Sequence, residues 1–121
     1  MPHLIEEQGT KLLIAALEAK GHKVERLNGT LDISVDGIPA EVKTKRKKFN
    51  QLDHISLTSN QFAEAQKRDF LIYLICDLDD KPEIYKINSK DLLSSNPRII
   101  TSYEYGLPSF KQRAELIIGS D

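Results

Sequence analysis

Asp32, Glu41 and Lys43 carry the most reactive combination in the chain, inside TLDISVDGIPAEVKTKRKK, Thr30 to Lys48. Two carboxylates with an ammonium beside them could hold a divalent cation. The residues around them determine whether they meet. Leu31, Ile33 and Val35, then Ile38, Ala40 and Val42, follow the period of two half-buried strands with one apolar face. Asp36-Gly37 between them is a dipeptide favoured by two-residue type I′ turns, whose central positions both need positive φ. With those two in the loop, Val35 faces Ile38, Leu31 faces Val42 and Asp32 faces Glu41. Facing Cβ atoms lie about 4.5–5.5 Å apart, and like charges there are unfavourable. A cation between Asp32 and Glu41 would offset that cost. Lys43 shares the face of Glu41, one diagonal step from Asp32. A solvated hairpin face that happens to carry D, S, P, E and K accounts for the same pattern without any chemistry.

Five cations fall within the six residues from Lys43 to Lys48. Such a run usually makes a solvated loop. Here Lys45, Arg46, Lys47 and Lys48 leave the strand that carries the acids, in a chain of formal net charge −1. That placement suits contact with a phosphodiester backbone, which Lys and Arg neutralise without reading bases.

The remaining elements frame this stretch. Pro2 to Lys20 reads as a helix closed by Gly21, with Ile5, Gly9, Leu12, Leu13, Ala16 and Leu17 as its buried stripe. Glu6 projects beside the stripe, whereas Glu7 points away at about 100° per residue. Glu6 is either the acid that reaches inward or a first-turn acid favoured by the helix dipole. His22 to Leu27 forms a short edge strand, followed by an Asn28-Gly29 turn. His54 to Leu57 is another short strand. Thr58 or Ser59 then caps a helix to about Arg68, with Gln61 in its first turn and Phe62, Ala63 and Ala65 toward the core. Phe70 to Leu78 is apolar on both faces, as in a central strand covered on both sides. After the turn Asp79 to Pro82, Glu83 to Ile87 returns antiparallel. Ser89 caps a short helix through Leu93 and Ser94, Asn96-Pro97 breaks the chain, and Arg98 to Tyr103 adds one short strand. Ser109 begins a final helix carrying Phe110, Ala114, Leu116 and Ile117.

Of the 121 residues, 40% are hydrophobic and 29% charged, which fits one globular α/β domain with one core. Cys76 is the single cysteine, so no intrachain disulfide can form, and its apolar run predicts a buried thiol. The longest apolar run is the seven residues Phe70 to Cys76, too short for a membrane span. With no signal peptide evident, a cytoplasmic protein without membrane contact is expected. His3, His22 and His54 are scattered, and neither a zinc-ligand cluster nor a phosphate-loop glycine pattern is present.

Asp32, eight intervening residues, then Glu41-Val42-Lys43, between a leading helix and a following helix and buried strand, resembles the PD-(D/E)XK nuclease superfamily. That superfamily includes archaeal Holliday-junction resolvases and many restriction endonucleases. The stretches AEVKT, ISLTSNQFAEA, FLIYLICDL and EIYKINSKDLL, spanning Ala40 to Leu93, are similar to the NO VEIN C-terminal-like nuclease domain. They span a little under half of the chain. The resemblance implies a restriction-endonuclease-like α/β core, a mixed central sheet flanked by helices. It implies Mg2+, replaceable by Mn2+, held by Asp32, Glu41 and the Val42 carbonyl. Lys43 would orient the attacking water, Glu6 would match a first-helix acid near the metal, and Gln61 a polar helix residue facing the nucleic acid. The sequence departs from the pattern at Leu31, where Pro is common, and at Gln61, where the NO VEIN-like domains more often have an acid.

The resulting expectation is a Mg2+-dependent DNA endonuclease, plausibly a homodimer because one small site cuts one strand. Without a separate recognition domain, sequence-specific cutting would need a partner, a dimer or recognition of DNA structure. Two other readings stand beside it: a non-cutting nuclease-fold module that binds nucleic acid or a protein, and a nuclease directed at RNA.

Overall fold

The computed structural model describes residues 2–52, 54–93, 98–99, 103–106 and 114–118. Its centre is β5 (Leu71–Cys76), where Ile72 to Cys76 are all buried. A strand so apolar on both faces needs cover on both sides, and it has it. Leu13 and Leu17 of α1 (Pro2–Ala19) pack over one face with Tyr73 and Ile75. Over the other face, Ile72, Leu74 and Cys76 join Leu57 of β4 (His54–Leu57), Ala65 of α2 (Ser59–Lys67) and Leu92 of α3 (Ser89–Leu93). Cys76 is thus the buried free thiol expected.

The six-stranded mixed sheet has the order β1-β2-β3-β5-β6-β9. Here β1 is Val24–Arg26, β2 Ile33–Val35, β3 Ile38–Thr44, β6 Glu83–Asn88 and β9 Glu115–Ile118. Only β3 and β5 run parallel. Parallel neighbours need a long crossover, and the segment between them supplies it with β4 and α2. A second sheet, β4-β8-β7, is completed by β7 (Arg98–Ile99) and β8 (Tyr103–Gly106). The single strand expected from Arg98 to Tyr103 is instead divided between two: Arg98–Ile99 lies in β7 and Tyr103 begins β8, and the two pair antiparallel with each other.

The turn at Asp36-Gly37 forms as its residues demand, with φ of 54° and 85°. Val35 pairs with Ile38, as the turn length requires. Gly21 closes α1 at φ 93°, with the His22 N–H donating to the Leu17 carbonyl and the Gly21 N–H to that of Glu18. These two bonds satisfy carbonyls that the helix end leaves open.

Two expectations fail. The final helix from Ser109 does not form over its described part: Ala114 precedes β9, and Glu115–Ile118 pairs antiparallel with β6. Consecutive apolar Leu116, Ile117 and Ile118 suit a strand added to a sheet edge better than a helix stripe. Ile117 packs against the cluster on the α1 side, while Leu116 is exposed. Leu31 also leaves the face of Ile33 and Val35. It packs with the opposite cluster, because the regular pairing ends at Ile33–Ala40 and the Asp32 N–H also reaches the Ala40 carbonyl at 3.1 Å. Two residues addressing one across the ladder is the pattern of a bulge, which turns the following side chain around. Ser94, Asn96, Pro97, Ser109 and Phe110 lie outside the described residues.

Candidate metal centre

Strand alternation puts Glu41 and Lys43 on the same face of β3, while Ala40 and Val42 pack toward α1. Glu41 is only 5% exposed. Lys43 Nζ stands 3.5 Å from Glu41 Oε2 and donates to Gln61 Oε1 at 3.0 Å. Gln61 also serves the N-terminus of α2. Its Oε1 accepts from the Thr58 N–H at 3.0 Å, and its own N–H donates to Thr58 Oγ1 at 3.1 Å. This reciprocal capping box satisfies donors that the helix start leaves open, and it fixes the oxygen that holds Lys43. The T-x-x-Q spacing of Thr58 and Gln61 was the sequence signal for this arrangement. At 7% exposure Gln61 stands inside the site beside Lys43.

Asp32 approaches from the bulge at the end of β2. Its Oδ2 accepts from the Val42 N–H at 2.9 Å, so the carboxylate sits where β2 and β3 part instead of squarely across from Glu41. In an extended strand the N–H and C=O of one residue leave on the same side, so the Val42 carbonyl also points toward Asp32.

The electrostatics tie the acids together. Burial is the main cause that pushes the Glu41 carboxyl up to about 8; Lys43 opposes the shift, and the neighbouring Asp32 adds to it. Glu41 Oε1 is buried and forms no hydrogen bond with any described residue, although the Asp32 and Gln61 side chains lie within its electrostatic reach. A carboxylate in this state is costly unless it takes a proton or a cation. Glu6 is drawn in as well. Its carboxyl is raised chiefly by burial and by Asp32, against the pull of Lys43 and Lys45. Because α1 begins at Pro2, Glu6 stands in the second turn, and no acid occupies the first. Gly9 sets the approach: a Cβ there would lie 2.0 Å from Thr44 Oγ1, so only glycine lets α1 settle on β3. A cleft of about 500 Å³ between α1, β1 and the β1–β2 connection has Glu6, Thr10, Asn28 and Asp32 on its walls.

The donor chemistry fits a small hard cation. Mg2+ binds through one or two carboxylates and keeps several waters. Asp32, Glu41 and the Val42 carbonyl would supply two carboxylates and one further oxygen, and Glu41 Oε1 is a buried oxygen without a hydrogen bond among the described residues. Among the described residues, no three of His, Cys, Asp and Glu converge tightly enough to hold a metal by side chains alone. Glu6 neighbours Asp32 without completing such a cluster.

The basic run is less uniform than its sequence. Lys45 is half-buried near Glu6, and Arg46 pairs with Asp79 at 2.9 Å. Lys47 and Lys48 are exposed. The backbone is pinned: Lys45 N–H to Ile75 carbonyl at 2.8 Å, and Asp77 N–H to Lys47 carbonyl at 2.9 Å. Asp79 as the partner of Arg46 was not foreseen, since nothing local in the sequence links two loops that far apart. Among the described residues, no helix is long and apolar enough to cross a membrane. No family model, curated protein or solved structure matches the chain.

Proposed function

We propose that the chain is a Mg2+-dependent DNA endonuclease of the PD-(D/E)XK kind, with a restriction-endonuclease-like core and Asp32, Glu41 and Lys43 as its catalytic set. The observation that carries this reading is the buried Glu41 carboxyl, in electrostatic contact with Asp32, with one oxygen that accepts no hydrogen bond among the described residues and an ammonium 3.5 Å from the other. The order of elements around it supports the reading: a leading helix, the acid at the end of one strand, the ExK set on the next, then a helix and a buried strand.

Asp32, Glu41 and the Val42 carbonyl would hold the cation. When bound, it would supply Lewis-acid stabilisation at the phosphate and activation of water. The chain's own residues do the positioning. Gln61 and Glu41 hold the Lys43 ammonium in place, where it donates to the attacking water or to a phosphate oxygen as negative charge grows. Water adds to phosphorus in line with the departing 3′-oxygen, which leaves protonated as a hydroxyl and gives a 5′-phosphate. Lys45, Arg46, Lys47 and Lys48 neutralise flanking phosphates.

Incubation with branched, nicked, single- and double-stranded DNA plus Mg2+ or Mn2+ tests the reading. Cleavage of at least one substrate is expected, with Lys43→Ala slower by at least about 100-fold, the scale of losing one transition-state donor. Cleavage of none, or equal cleavage by Lys43→Ala, removes the enzymatic reading. The absence of a three-acid cluster among the described residues favours a non-cutting, nucleic-acid-binding module as the second reading. DNA retained without cleavage would select it.

A further inference from the structure

Beside the candidate centre, a pocket of about 220 Å³ is lined by Lys45, Arg46, Lys47, Leu52 and His54. Among the described residues no carboxylate lines it, in a chain whose acids outnumber its Lys and Arg. It has room for about seven waters, enough for a phosphate with part of its hydration and too little for a nucleoside as well. Three of its cationic side chains come from consecutive residues whose backbone is fixed. The Lys45 N–H binds the Ile75 carbonyl, the Leu78 N–H binds the Lys45 carbonyl, and the Asp77 N–H binds the Lys47 carbonyl. Arg46 is held by Asp79. The buried Leu52 gives the pocket an apolar wall.

We infer that this pocket binds a phosphomonoester dianion, the terminal phosphate of a nucleic-acid strand or a free phosphate. Several cations facing one small space favour a dianion over the single charge of a bridging diester, since attraction scales with the product of charges. The terminal location follows from the pocket's size, which leaves no room for a nucleoside beside the phosphate. This inference rests on the nuclease reading for its source in nucleic acid, but not for the phosphate binding itself. Lys45 lies two residues beyond Lys43, about 6.6–6.8 Å along extended chain. An end phosphate seated here would therefore set the cut close to that end.

Two measurements keep the claims separate. In the first, inorganic phosphate is titrated into the metal-free protein in EDTA at fixed ionic strength, followed by backbone amide NMR. Shifts centred on residues 45–47, 52 and 54 are expected. Lys45→Gln/Lys47→Gln should weaken binding by at least about tenfold, while Lys23→Gln, which removes a charge at an exposed remote site, should not alter it. No saturable shift, or equal weakening by Lys23→Gln, overturns the pocket whatever the nuclease assay shows. In the second, the metal-loaded protein is given matched oligonucleotides bearing a 5′-phosphate, a 3′-phosphate or hydroxyls only. A lower KM for one phosphorylated end is expected, with the advantage lost in Lys45→Gln/Lys47→Gln. Equal KM for all three overturns the strand-end source. If no DNA is cut while phosphate binds as expected, the nuclease reading fails and the free-phosphate source remains.

Discussion

Glu41 concentrates the tension of the site in one residue. Its carboxyl is raised to about 8, first by burial, so the folded protein holds a proton there that the unfolded chain releases near 4.5. Between those values the native state binds more protons, so stability falls as pH rises and levels off above about 8. Allowing for relaxation and for the opposing Lys43, the loss is on the order of 3 kcal/mol. The metal-free protein should therefore melt at a lower temperature at pH 9 than at pH 5.5, and Glu41→Gln should flatten that difference. A Glu41→Gln curve parallel to wild type would show that burial of Glu41 does not govern the slope. At this scale the sequence was informative in part: Asp32 and Glu41 are electrostatic neighbours, but the regular pairing stops at Ile33–Ala40 and does not set them directly opposite as the turn register implied. It could not reveal the bulge, because the bond from the Asp32 N–H to Ala40 depends on where β2 leaves the ladder. Nor could it decide the inward reach of Glu6, which depends on how closely α1 packs.

That packing belongs to the scale of elements. Gly9 faces Thr44, and a Cβ at position 9 would meet Thr44 Oγ1 at 2.0 Å, Cγ2 at 2.6 Å and Cβ at 2.8 Å. Gly9→Ala gains helix propensity worth about 1 kcal/mol but overpacks the contact by about 1–3 kcal/mol or more. The helix must lift, and Glu6 must move away from Asp32 with it. Gly9→Ala is expected to lower the melting temperature, and Thr44→Ala in the same chain to restore part of the loss, since the Cβ of residue 44 remains at 2.8 Å; thermal unfolding of the three proteins checks this. An unchanged melting temperature for Gly9→Ala would mean that α1 does not sit this close. The strand from His54 to Leu57 and the buried run at β5 were legible because short-range pattern dictates them. The second sheet was not, since β4 pairs with β8 across a long stretch of chain. The final helix was misread for a related reason: Leu116, Ile117 and Ile118 fit either period, and the open edge of β6 decides between them.

Across the whole molecule, a net charge of −1 conceals an uneven distribution. The buried acids face a fixed basic loop just beyond the end of β3, so a cation in the one and phosphates on the other would neutralise both. A polyanion would be drawn to one region and not to the surface at large, and its affinity would weaken with salt. The central claim is the cation held by Asp32 and Glu41, and Mn2+ titration followed by thermal unfolding at pH 7.5 tests it most directly. Asp32→Asn is the informative variant, because its amide oxygen can still accept from the Val42 N–H while the charge is gone. Saturating Mn2+ should raise the melting temperature of wild type, by about 2.7 kcal/mol of added stability at 100 times Kd, and raise that of Asp32→Asn far less. An equal rise in the two proteins, or none in wild type, would contradict the account.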